Sequence, residues 1–252
     1  MKSLLVANWK MNPSSFKEAK SLLDATRKAG DKAKQVSIVL APPSIYLRQL
    51  RLLYKGKRIA FCAQNANAER GGACTGDISL TQVRDAKALY TLVGHAERRA
   101  AGETNEDTKK KVAAALSLGI TPILCVGETV RTQSGDHFAR IAEQLKIALS
   151  DVQKPLLKKV FIAYEPVWAI GGSTAMSPRD MHEMAIFIRK TIVGMHGDIG
   201  MQMRILYGGA IDESNAADMC KNGDVEGLLV GRASSDPRKV TALISALQNA
   251  SA

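Results

Sequence analysis

A carboxylate stands where an apolar run ends: in "VFIAYEPVWAIGGSTAM" residues 160–164 read as a buried strand, and Glu165 follows, then Pro166 and the glycines Gly171 and Gly172. A charge at the edge of an apolar core is costly unless it is paired or used. Asn8 and Lys10 end the run "SLLVAN" in the same way, and His95 ends "LYTLVGH". Removal of a proton α to a carbonyl needs these residue types: a carboxylate to take the proton, and an imidazole, ammonium or amide to meet the charge that develops on oxygen. Each also has a plainer reading. Glu165 could be one half of an ion pair, His95 a satisfied core histidine, and Lys10 a solvated lysine.

The elements that must position these groups form a regular series. Short apolar runs begin at Ser3, Val36, Arg58, Leu89, Thr121, Val160, Met203 and Val225, and a polar or glycine-rich turn and then a helix-period segment follow nearly every one. In "SSFKEAKSLLDATRKAG" the spacing predicts a helix capped by Ser14 or Ser15 and stopped at Gly30. "TNEDTKKKVAAALSLG" predicts a second, with Thr104 or Asn105 as cap and Gly119 as terminator, and Ser177 before Pro178 opens a third. Eight strands and eight helices, with near-continuous hydrophobicity inside the strands, argue for parallel strands buried on both faces. No linker or composition shift interrupts the series, so residues 1–252 are expected to form one (β/α)8 barrel domain with its chemistry at the C-terminal strand ends.

Composition narrows the function classes. Hydrophobic residues make up 46% and charged residues 23%, as in an ordinary globular protein. No apolar run approaches the ~20 residues of a membrane span or the pattern of a signal peptide, so a cytoplasmic location is expected and no membrane partner. Lys and Arg exceed Asp and Glu by 35 to 24, a net +11. The cations are dispersed and aromatics are only 5%, so the charge suits a small anionic substrate better than nucleic acid. Cys62 and Cys125 lie inside strand-like runs, which favours buried free thiols over disulfides or zinc. His137, His182 and His196 lack ligand spacing, so no metal site is expected.

"ANWKMN" (7–12), "GHAERR" (94–99), "CVGE" (125–128), "AYEPVWAIG" (163–171), "YGGA" (207–210) and "LLVGRAS" (228–234), in this order and spacing, resemble the triosephosphate isomerase family over essentially the whole chain. The resemblance implies a TIM barrel and a cofactor-independent aldose–ketose isomerase of glycolysis and gluconeogenesis, converting dihydroxyacetone phosphate to D-glyceraldehyde 3-phosphate through an enediolate. It implies Glu165 as the base, His95 as a neutral electrophile, Lys10 and Asn8 as stabilisers of the enediolate, and Glu97 as the partner that orients Lys10. The pairing of carboxylate base and neutral imidazole is the family's established arrangement. Phosphate would rest on the amides of Gly171, Gly209, Ala210, Gly231 and Arg232, in glycine turns after the sixth, seventh and eighth strands. Pro166, Val167, Trp168, Ala169, Ile170, Gly171, Gly172, Ser173, Thr174, Ala175 and Met176 would form a lid that excludes water from the intermediate.

Four positions depart from the family pattern. Ala96 replaces a serine that holds the base while the lid is open, and Ala210 replaces one that helps fix the closed lid. Arg232 replaces a glycine of the phosphate turn, and the lid tip "GGSTAM" lacks the usual lysine. Backbone donors survive all four, so the changes bear on lid energetics rather than binding. The stretch "GGACTGDIS" (71–79) resembles the loop that family members insert into a second subunit, which implies a homodimer with Cys74, Thr75 and Asp77 at the contact and Asp77 facing Arg98. Three other activities fit a barrel with these residues: isomerisation of another ketose phosphate, Schiff-base aldol chemistry at Lys10, and a barrel retained only for binding.

Overall fold

The eight apolar runs close into a barrel. In the computed structural model, which describes residues 2–132, 134–169 and 175–250, the strands are β1 Ser3–Asn8, β2 Val36–Ala41, β3 Ile59–Ala63, β4 Tyr90–Val93, β5 Thr121–Val126, β6 Phe161–Tyr164, β7 Arg204–Tyr207 and β8 Gly227–Val230. Each pairs in parallel with the next, and β8 returns to β1.

Successive side chains of a strand point to opposite faces, and both faces here are buried, which is why the runs read as continuous apolar sequence. Leu4, Val6, Val39, Ala41, Cys62, Leu92, Ile123, Cys125, Phe161, Ala163, Leu206 and Leu229 fill the interior of the barrel. The alternate residues, such as Leu5, Ala7, Ile38, Leu40 and Tyr164, pack outward against the helices. Cys62 and Cys125 are fully buried free thiols, and burial pushes both thiol pKa values up.

A long or short helix follows every strand. The helix Phe16–Lys32 is capped by Ser15, whose side chain accepts from the Glu18 amide. Thr104 and Asp107 form a capping box at the start of Asn105–Ser117, and Ser177 caps Pro178–His196. Gly30 does not stop the first helix, which continues to Lys32. A glycine inside a helix costs about 1 kcal/mol relative to alanine, but a Cβ at Gly30 would lie 2.7 Å from Ile38 Cδ1, so its smallness lets the last turn approach β2. Ten α-helices occur among the described residues rather than eight, because the short turns Ala96–Ala100 and Lys154–Leu157 add to the main set. No helix among the described residues is long and apolar enough to cross a membrane.

Candidate active site

Strand parity places the polar residues at the C-terminal mouth. Leu4 and Val6 face the barrel interior, so Asn8 does too, two residues further on; Ala163 faces inward, and so does Glu165. On β4 the same parity would give the inward position to residue 94. Gly94 sits at φ +70, a conformation glycine adopts without strain, and the turn it makes brings His95 to the cavity instead. Asn8, Lys10, His95, Glu165, Gly209 and Ala210 then line one cavity of about 600 Å³, together with Gly231 and Arg232.

His95 is the N-cap of the turn Ala96–Ala100, and its Nδ1 accepts a hydrogen bond from the Glu97 amide at 3.2 Å. A nitrogen that accepts carries no proton, so the ring proton lies on Nε2. That nitrogen is 3.2 Å from Glu165 Oε1 and 3.3 Å from Asn8 Nδ2. Asn8 is oriented by the backbone: its Oδ1 accepts from the Lys10 amide at 3.0 Å, which turns its NH2 toward the histidine. Two N–H donors therefore converge beside a carboxylate. They cannot satisfy each other, but one oxygen placed between them could accept from both.

Lys10 has φ +53, and a non-glycine residue in that region costs of order 1–3 kcal/mol. Neighbours fix it there. Its amide donates to Asn8, and its carbonyl accepts from Gln64 Nε2 at 2.8 Å. Gln64 also donates to the Ala41 carbonyl at 2.8 Å, tying β1, β2 and β3 at the mouth. Lys10 Nζ lies 2.5 Å from Glu97 Oε1. Glu97 thus sits beside the cavity and reaches it through the ammonium.

Glu165 is 2% exposed, and burial raises its pKa above the usual carboxylate value; His95, the Ala96 amide, Lys10 and Cys125 oppose the shift. Its Oε2 accepts from the Ala96 amide at 2.9 Å. The hold that the missing serine hydroxyl would supply thus comes from the main chain.

Glycine turns meet the opposite wall. A Cβ at Gly231 would lie 2.9 Å from Lys10 Cε, so a side chain on the eighth turn would push the end of the lysine aside. Among the described residues the amides of Gly209, Ala210 and Gly231 donate to no protein acceptor. Gly171, expected to add a fifth amide, lies outside the described residues, as do Ile170, Gly172, Ser173 and Thr174 of the expected lid.

Both ends of the segment expected to form a lid are anchored among the described residues. Glu128 Oε1 accepts from Trp168 Nε1 at 2.7 Å and from the Tyr164 hydroxyl at 2.9 Å, while the Glu128 carbonyl accepts from the Val167 amide. Pro166 opens a 3-10 turn over Val167–Ala169. At the other end the Met176 amide donates to the Tyr207 hydroxyl at 3.2 Å, and Ala175 lines the cavity.

The expected contact loop closes on itself within the chain. The Asn67 amide donates to the Ile78 carbonyl, and Asn67 Nδ2 donates to Asp77 Oδ2 at 2.5 Å. Arg98 pairs with Glu103 at 3.7 Å rather than with its own chain's Asp77. Cys74 and Thr75 are exposed, away from the cavity. Asp77, Arg98 and Glu97 do line a second hollow with Met11, which is 92% exposed.

Sequence reasoning missed Gln64 and Glu128. Both are polar residues just past a strand end, in "CAQN" and "CVGE", the signal that marked Asn8 and Glu165. Among the described residues no group of three or more His, Cys, Asp or Glu side chains is placed to hold a metal.

A family model described as triosephosphate isomerase matches residues 3–247. Proteins named triosephosphate isomerase are similar over nearly full length: one from Endomicrobium trichonymphae is 39% identical over 245 residues, covering 96% of this chain and 98% of its own. One from Aquifex aeolicus is 38% identical over 246 residues (97% and 99%), and one from Xylella fastidiosa is 42% identical over 234 residues (92% and 93%).

Proposed function

Because the chain belongs to the triosephosphate isomerase family, we propose that the cavity at the C-terminal mouth is where it interconverts dihydroxyacetone phosphate and D-glyceraldehyde 3-phosphate, without a cofactor. Glu165 takes the proton from the carbon next to the carbonyl. His95, with its proton on Nε2, and Asn8 donate to the oxygen that becomes negative, and the Lys10 ammonium stabilises the same charge. The proton held by Glu165 is returned to the neighbouring carbon, while His95 moves protons between the two oxygens. The Gly209, Ala210, Gly231 and Arg232 turns receive the phosphate, joined by Gly171.

One observation carries this reading: Glu165 Oε1 and Asn8 Nδ2 lie 3.2 and 3.3 Å from the same histidine nitrogen, so base and donors address adjacent atoms of a small carbonyl compound. Catalysis by a positioned acid or base contributes ~10²–10⁴-fold. Glu165→Gln should therefore lower kcat/KM for glyceraldehyde 3-phosphate on that order with little change in KM. Wild-type protein that turns over a tetrulose phosphate but no triose phosphate would overturn the substrate assignment.

The reading extends to a single barrel unit over residues 1–252, a glycolytic role in the cytoplasm, and a homodimer. Met11, Asp77, Arg98 and Glu97 around the second hollow favour insertion of a partner's 71–79 loop there, close to Lys10. A monomer by light scattering at micromolar concentration would contradict the dimer.

A further inference from the structure

The opposite end of the barrel carries a cavity that this chemistry does not use. It measures about 820 Å³ and opens at the N-terminal ends of β2, β3 and β4, across the barrel from the catalytic mouth. Its lining contains five cations, Arg51, Lys57, Arg58, Arg84 and Lys87, and no carboxylate.

Two of the five already have partners. Arg58 donates to the Gly30 and Ala33 carbonyls at the end of the first helix, and Arg51 donates to the Tyr54 carbonyl. The side chains of Lys57, Arg84 and Lys87 have no hydrogen-bonding or ion-pair partner among the described residues. Asp85, the acid next to Arg84, is taken up by Arg48. Three uncommitted cations thus stand around one hollow with no neutralising acid in its walls. Between the cations the wall carries apolar side chains. Leu89 is 59% exposed there, and half-buried Tyr90 packs its ring 5.9 Å from Phe161 on the barrel floor.

We propose that this basal cavity is a second ligand site, which takes a small organic phosphate with a flat apolar body, of the nucleoside diphosphate class. A bare phosphate would leave most of the cavity and its apolar wall uncovered, since pockets of ~300–1,000 Å³ suit ligands of tens of atoms. An apolar ligand without charge would leave the cations unmatched. A diphosphate meets Lys57, Arg84 and Lys87 from one side while a ring system covers Leu89 and Tyr90. Lys57 precedes β3, while Arg84 and Lys87 lie at and just past the end of the helix Leu80–Asp85, so the three border one hollow from two sides rather than forming the track along which a polynucleotide backbone would run.

The test is calorimetric titration of the full chain with ADP, with the catalytic cavity filled by saturating glycerol 3-phosphate. Saturable binding of one ADP per chain is expected. The double variant Lys57→Glu/Arg84→Glu, and separately Leu89→Asp, should each weaken it at least about tenfold, as loss of matched charge or of apolar contact does in other sites. Isomerase kcat/KM should be unchanged in both variants, which also shows that they fold. Adenosine alone and pyrophosphate alone should each bind at least about tenfold more weakly than ADP. No saturable heat at millimolar ADP, or binding untouched by the variants, would overturn the proposal. So would inhibition competitive with the triose phosphate, which would put ADP in the catalytic mouth. Tighter binding of a single-stranded oligonucleotide, abolished by the same variants, would assign the surface to polynucleotide instead. The ADP isotherm is read as heat and not as turnover, so its failure is distinguishable from failure of the isomerase assignment, which turnover by wild type and Glu165→Gln tests separately.

Discussion

The Ala96 amide donates to Glu165 Oε2 at 2.9 Å, so the carboxylate is held across 69 residues of sequence by a backbone group that any residue but proline would supply. The family's serine at this position would add a hydroxyl to a carboxylate already served. A second donor to the charged form lowers a carboxylate pKa, and one hydrogen bond contributes ~0.5–1.5 kcal/mol. Ala96→Ser should raise kcat/KM by a few-fold and shift the acidic limb of its pH profile downward. Ala210→Ser should change lid closure, read by relaxation dispersion. If both variants are silent, these two alanines have no bearing on gating.

Burial raises the Glu165 pKa, and the sign of the consequence is fixed. The folded state binds this proton more tightly than the unfolded chain does, so stability falls as pH rises from the ordinary carboxylate range through the raised value. Glu165→Gln should therefore melt at a higher temperature than wild type at neutral pH, and the two should converge below the ordinary carboxylate pKa. Activity should fall with decreasing pH at a limb displaced above that of a solvated glutamate. Equal melting temperatures throughout would mean that the carboxylate costs the fold nothing.

Gln64 holds Lys10 in its left-handed conformation through the Lys10 carbonyl. Gln64→Ala should destabilise the protein by ~1–3 kcal/mol, the cost of leaving buried acceptors unmet. As Lys10 relaxes, KM should rise and kcat fall together. Gln64→Glu should do more harm, because it sets a carboxylate against two carbonyl oxygens. Denaturation and steady-state kinetics on the pair distinguish a positioning role from simple packing.

Glu128 receives both the Trp168 indole and the Tyr164 hydroxyl on one oxygen. Glu128→Gln keeps an acceptor and should lower kcat by no more than a few-fold, whereas Glu128→Leu leaves two donors unpaired at a cost of ~1–3 kcal/mol each. Trp168 fluorescence should report the loosened hinge in the leucine variant. Indistinguishable spectra and kcat values in the two would place the hinge elsewhere.

The sequence by itself determined the eight-stranded series and which residues end its strands, because two-sided burial writes continuous apolar runs and a polar residue at their ends stands out. Asn8, Lys10, His95 and Glu165 were legible for that reason. Gln64 and Glu128 carried the same signal, but nothing local said what they would touch. Only the tertiary structure decided that His95 bears its proton on Nε2, that Lys10 is held at positive φ, that Ala96 supplies the donor its side chain lacks, and that Gly30 lies inside its helix rather than at its end. Each depends on an atom brought close by folding rather than by sequence: Asn8 and His95 are 87 positions apart, and only closure of the barrel brings β1 and β4 to a common mouth. The basal cations show the same division. Their number is plain in a chain of net charge +11, but their gathering around one cavity without a carboxylate is a property of the closed barrel alone.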